Sequence, residues 1–184
     1  MGRMKPVLIA YALVLVACTQ PAARSAQTDI IASPFPGETA AVFEAEKARE
    51  LTHQCSRIAP GPVEGAWTPS SADISALEPA LAPLIEAQLE NEAATYDEPR
   101  WSHGVEYYRQ YGGLIIGGRR VIYINGVHKT AIERDPDPEH PLDWRTQAVG
   151  ICDGGSITFG VEYDPAARSF SNFAFNGALR AAPR

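Results

Sequence analysis

The chain is poor in cysteine, with three in all, and it has no apolar run long enough to cross a bilayer. A span needs about 20 apolar residues, and the longest stretch here, PVLIAYALVLVA at 6–17, stops short. Positive charge is scarce as well: 16 Lys and Arg stand against 22 Asp and Glu. That balance excludes a general attraction to nucleic acid or to anionic headgroups. There is no H-E-x-x-H, no C-x-x-C and no phosphate-binding glycine loop. The histidines, His53, His103, His128 and His140, are scattered. The run DPDPEH at 135–140 lacks the glycine and the 12-residue ligand spacing of a calcium loop, so it reads as a solvated acidic loop. The serine of Gly154-Gly155-Ser156 is not in a G-x-S-x-G elbow. No metal and no cofactor are expected.

What the chain does have is an address. Arg3 and Lys5 precede the apolar run, and no acid accompanies them. A charged start followed by a short apolar core is the layout of a secretory signal. The run ends at Leu15-Val16-Ala17-Cys18, which resembles the lipobox of bacterial lipoprotein signal peptides. In that pattern a small residue precedes the cut, and the cysteine thiol takes the diacylglycerol. The resemblance implies loss of residues 1–17, lipidation of Cys18 and stable anchoring, because two or more acyl chains hold a protein on a membrane. Thr19, where aspartate would retain the protein at the inner membrane of enteric bacteria, implies the outer membrane, facing the periplasm. The strand-like text CDGGSITFGVEYDP and SNFAFNG is similar to that of small proteobacterial envelope lipoproteins, a likeness that implies no activity.

Residues 18–37 are small, polar and proline-punctuated, a tether, and 38–184 suit a single domain. In 38–57, Ala41, Ala48, Leu51 and Cys55 recur at helical spacing. A second helix starts near Ser70 or Ser71, which can cap it, with the stripe Ile74, Leu77, Leu81, Ile85 and Leu89. Pro79 and Pro83 predict a break near Glu78 and an end near Asn91. From Glu106 the period falls to two. Tyr-rich and β-branched runs flank Gly117-Gly118, a hairpin signal; apolar residues on both faces imply that it is covered on both or central in the sheet. Residues 128–145 read as a long acidic loop. QAVGIC, SITFGVEY and SFSNFAFNG read as three more strands. The expected fold is α+β: N-terminal helices packed on one face of a four- to five-stranded, mostly antiparallel sheet.

Side-chain alternation puts Ile157, Phe159, Val161 and Tyr163 on one face. Phe173 and Phe175 join it if Tyr163 pairs with Ser169, or if a bulge has the same effect. The two cysteines other than Cys18, Cys55 and Cys152, suit a disulfide in an oxidising compartment. The same register places both sulfurs in the layer between the first helix and the sheet. Trp101, Tyr107, Arg109, Tyr111 and Tyr123 are residue types favoured at binding hot spots. The functional expectation is a non-enzymatic binding module for an envelope protein or a peptidoglycan-related ligand, in the manner of an inhibitor or immunity protein. The alternative is an envelope hydrolase with a site assembled from dispersed acids and histidines. If Cys18 carries the lipid, Cys18→Ala moves the protein from the membrane fraction to the soluble one. An unchanged fractionation, with a mature N-terminus mapped elsewhere, refutes the anchor.

Overall fold

The computed structural model describes residues 2, 37–96, 102–134, 139 and 142–177. Cys18, most of the tether, Trp101 and all of the acidic run except Glu139 lie outside the described residues. The chain divides into two compact units, Met1–Ile30 and Ile31–Arg184. Among the described residues every helix and strand belongs to the second unit, and no helix is long and apolar enough to cross a membrane.

The second unit is α+β. Its elements run β1 (Ala40–Phe43), α1 (Ala45–Ala48), β2 (Val63–Trp67), α2 (Ser71–Tyr96), β3 (Tyr107–Ile116), β4 (Arg119–His128), α3 (Lys129–Glu133), β5 (Thr158–Asp164) and β6 (Ser169–Phe175). The six strands form one mixed, mostly antiparallel sheet in the order β1-β3-β4-β5-β6. The strand off this path, β2, pairs with β3 antiparallel through Gly113–Ile116, while β1 pairs parallel through Arg109–Gly112. Two short strands thus share one edge of β3. The β3–β4 hairpin turns at Gly117 and Gly118, whose φ values of 56° and 71° are the left-handed pair that a two-residue turn requires.

Five expectations need correction. Residues 38–57 are not one helix: β1 and α1 are followed by a 3-10 turn at Arg49–Thr52. Ala41, Ala48 and Leu51 are buried as the stripe demands, but pairing of β1 with β3 overrides the local helical preference. The helix α2 is unbroken through Pro79 and Pro83. Pro83 is exposed and Pro79 half-buried, so neither ring belongs to the buried stripe that packs on the sheet. Residues 147–152 are not a strand. Their backbone docks on side chains instead: Gln110 donates to the carbonyls of Trp144 and Gln147 and accepts from Val149 N, and Asn125 donates to Val149 O. The segment after β4 opens with α3 rather than with loop. With β1 and β2 added, the sheet has six strands, not four or five.

The hairpin is covered on both faces. Against one lies α2, whose Ile74, Leu77, Leu81, Ile85 and Leu89 pack with Tyr111, Ile122, Ile124, Phe159 and Val161. Against the other lie Ala48 and Leu51, with Trp144 and Val149 of the long loop, over Leu114, Tyr123 and Val127. Helical structure therefore covers both faces, not one. A Cβ at Gly112 would come within 2.9 Å of Leu51 Cδ1 and 3.1 Å of Ala48 Cβ, so this glycine sets the close approach of the 45–52 segment. At the start of α2, Ser70 and Asp73 cap reciprocally: Ser70 Oγ accepts from Asp73 N, and Asp73 Oδ2 accepts from Ser70 N.

The last hairpin reaches the expected layer by the second of the two routes. Tyr163 pairs with Phe170, not Ser169, and Asp164 with Ser169. A bulge then places two residues of β6 opposite Val161, with Asn172 at φ 53°. This returns Phe173 to the Phe159 side, and their rings stack at 5.2 Å.

Between α2 and β3, Glu78 meets Arg109. Arg109 Nη2 donates to Glu78 Oε1 at 3.0 Å, with the arginine side chain fully buried. Tyr111 Oη donates to the same oxygen and accepts from Arg109 Nε, each at 3.0 Å. Arg109 Nη1 donates to Thr39 Oγ1 and Tyr107 O. Removing one member of a buried pair strands the other charge and costs about 3–5 kcal/mol. Glu78→Leu is expected to lose that much in urea unfolding, and adding Arg109→Leu to recover part of it. A double variant less stable than Glu78→Leu alone would refute this account.

Candidate functional site

The disulfide forms, with Cα atoms of Cys55 and Cys152 5.5 Å apart, but not where the register placed it. Both cysteines are exposed, because Cys55 lies beyond the 3-10 turn and Cys152 lies in a loop rather than in a strand. The bridge joins loop to loop. It is reinforced by Gly177 N donating to Ser56 O at 2.8 Å and Asp153 N donating to Ser56 Oγ at 3.1 Å. The segment so clamped delivers Arg57 to the sheet.

Arg57 enters the face opposite α2. It is 9% exposed and lies against β4 and β5. Its Nε donates to Tyr123 Oη at 3.0 Å, its Nη1 to Asn176 Oδ1 at 2.9 Å, and its Nη2 to Asn125 Oδ1. All three acceptors are neutral, and no carboxylate pairs with it among the described residues. Two of its five N–H groups remain. Burial lowers the guanidinium from its ordinary value, an effect that the adjacent Tyr123 phenol opposes; arginine nevertheless stays charged. Burial in turn raises the Tyr123 phenol, against the pull of Arg57. Gly160 makes the fit possible: a Cβ there would overlap the Tyr123 hydroxyl and lie 2.6 Å from Arg57 Nε.

Arg57 and Tyr123 form the floor of a cleft of about 450 Å³, walled by Glu162, Asn172 and Phe173 with Ile58 at its rim. Ile58 is 93% exposed. A fixed cation under an open cleft is suited to hold an anionic group.

A second cleft, of about 410 Å³, is lined by His103, Glu106, Tyr108, Lys129 and Glu133. Glu106 accepts from His103 N, lies 2.7 Å from Lys129 Nζ and faces His128 Nε2 at 3.7 Å. The hydrogen bond with Lys129, first among several causes, holds Glu106 below its ordinary value. His128 Nδ1 accepts from Thr130 N and caps α3, which leaves the proton on Nε2, toward Glu106. Among the described residues no group of three or more His, Cys, Asp or Glu is placed to hold a metal ion.

Of the residues expected to form an aromatic recognition surface, the four described ones are not together on the outside. Tyr107, Arg109 and Tyr111 are fully buried on the α2 side, because the covered hairpin takes them as core. Tyr123 alone lines the Arg57 cleft. Arg57, Gly160, Glu162 and Asn172 were not expected at a site. The sequence signal for them is Asn125-Gly126 and Asn176-Gly177, amides set in apolar strand text that need polar partners when buried. Comparison with protein-family models, with curated proteins and with solved structures finds no match.

The Glu106–His128 pair predicts acid lability. Burial, opposed by Glu106, lowers the His128 imidazole from its ordinary value. The unfolded chain therefore takes up the proton first, and stability falls as pH drops through the ordinary histidine range. Glu106, also depressed, contributes stability that is lost at lower pH, as it protonates in the native state. His128→Asn keeps an N-cap acceptor and is expected to flatten the loss between roughly pH 7 and 5, the histidine range, while the loss at lower pH remains. Urea midpoints measured across pH check this; an equal slope in both proteins refutes it.

Proposed function

We propose that the chain is a lipid-anchored envelope protein whose folded unit faces the periplasm and binds an anionic group of an envelope protein or cell-wall ligand in the Arg57 cleft. One observation carries the binding: a buried guanidinium, held by three neutral oxygens and paired with no carboxylate among the described residues, at the floor of an open cleft. A carboxylate or phosphate supplies the missing charge and suits the remaining N–H groups, since hydrogen bonds between ionised partners are the strong ones. The LVAC pattern supports the anchor. The exposed Cys55–Cys152 bridge is compatible with an oxidising compartment.

The hydrolase reading has its best candidate in Glu106 and His128. A general base needs a lone pair within reach of a substrate proton, and the one on His128 Nδ1 is occupied by the Thr130 amide. That favours a structural role for the pair, and binding over catalysis as the reading of this chain.

The test uses the disulfide-bonded protein labelled with nitrogen-15. Titration with acetate or phosphate is expected to shift the Arg57 Nε–H and Gly160 N–H resonances saturably. Arg57→Gln is expected to abolish the Gly160 shift, with the thermal midpoint reporting that the variant is folded. Absence of a saturable shift, or an unchanged Gly160 response in folded Arg57→Gln, refutes the anion site.

A further inference from the structure

The Arg57 cleft contains a second unmatched charge. Glu162 is on β5 and only 8% exposed. Its Oε1 accepts from Asn172 Nδ2 at 3.0 Å, a contact made possible by the β6 bulge in which Asn172 takes its left-handed conformation. No cation pairs with Glu162 among the described residues, and it forms no ion pair with Arg57. Both charges are about nine-tenths buried in one cleft, yet no direct contact joins them.

Buried charges are ordinarily paired. Here the sheet keeps them apart. Arg57 rests over Gly160, and Glu162 is the next residue of β5 on the same face. Two opposite buried charges held in one cleft without contact suit a ligand that itself carries both signs.

The geometry points to a small zwitterion, an amino acid or short peptide with both ends free, as the ligand, its carboxylate on Arg57 and its ammonium on Glu162. The exposed Ile58 supplies apolar contact at the rim. This deepens the anion-binding reading and rests on it. The ligand's two charges meet the two buried charges that the fold leaves apart. The two side chains also work as a filter. A plain anion leaves Glu162 unmatched beside it, and a plain cation is repelled by Arg57.

Three probes separate the contributions: alanylalanine, its N-acetyl derivative and its C-terminal amide, each titrated at neutral pH by following the Arg57 Nε–H and Gly160 N–H resonances. Alanylalanine is expected to bind, and acetylation to weaken binding about tenfold, the equivalent of 1.4 kcal/mol. The amide is expected to give no saturable shift. In Glu162→Gln, whose side chain keeps an oxygen for Asn172, the dipeptide and its acetyl derivative are expected to bind alike. If the acetyl derivative binds the native protein as tightly as the dipeptide, and Arg57→Gln loses both, the role of Glu162 is overturned while the anion site stands. If none of the three probes shifts either resonance, and acetate and phosphate do not, both readings fall.

Discussion

Arg109 is on β3, an interior strand of a sheet covered on both faces, and its side chain is fully buried. The architecture follows from how that charge is satisfied. Glu78 of α2 supplies the carboxylate, Tyr111 shares it, and Thr39 takes a further N–H. These contacts fix the helix over one face in one register and bring the residue before β1 against the start of β3. The apolar stripe of α2 would tolerate sliding; a hydrogen-bonded ion pair does not, since misplacing it strands a charge in the core. With that face closed, the opposite face is the one that carries the cleft.

There the chain buries a second arginine in a different way. Arg57 has a phenol and two amides as acceptors, and no carboxylate among the described residues. Arg109 has its carboxylate in direct contact, whereas Arg57 and Glu162 share a cleft without forming an ion pair, so each keeps hydrogen-bonding capacity for something entering the cleft. The exposed disulfide belongs to this second arrangement: it restrains the irregular segment 53–57, which has no ladder of its own to hold its last residue in place.

Much of the fold was legible because periodicity reports burial. The α2 stripe, the glycine turn and the two apolar faces of the hairpin follow from side-chain spacing alone. So did the shared layer of Phe159 and Phe173, although the bulge that achieves it could not be located from the pattern. What failed were places where another part of the chain decides. Ala40–Phe43 is too short to choose between helix and strand until β3 offers an open edge. Residues 147–151 alternate like a strand but find Gln110 and Asn125 instead of a neighbouring ladder. The aromatic residues proposed for recognition are mostly core, since tyrosine in a doubly covered strand serves packing. Arg57 was hidden because a single arginine between a cysteine and a proline-rich break has no pattern; only the fold brings Asn125, Gly160 and Asn176 to it.

The bulge at Asn172 has a consequence beyond the cleft. A β-sheet exposes unpaired backbone along its outermost strands, and a flat, regular border invites the same border of another copy. On one side this sheet ends in β1 and β2, four and five residues long, too short to template much. On the other side β6 is longer, but the extra residue opposite Val161 breaks its hydrogen-bonding rhythm midway and increases its local twist. Among the described residues neither border offers a continuous rail, and edge-to-edge pairing of copies is disfavoured on both sides.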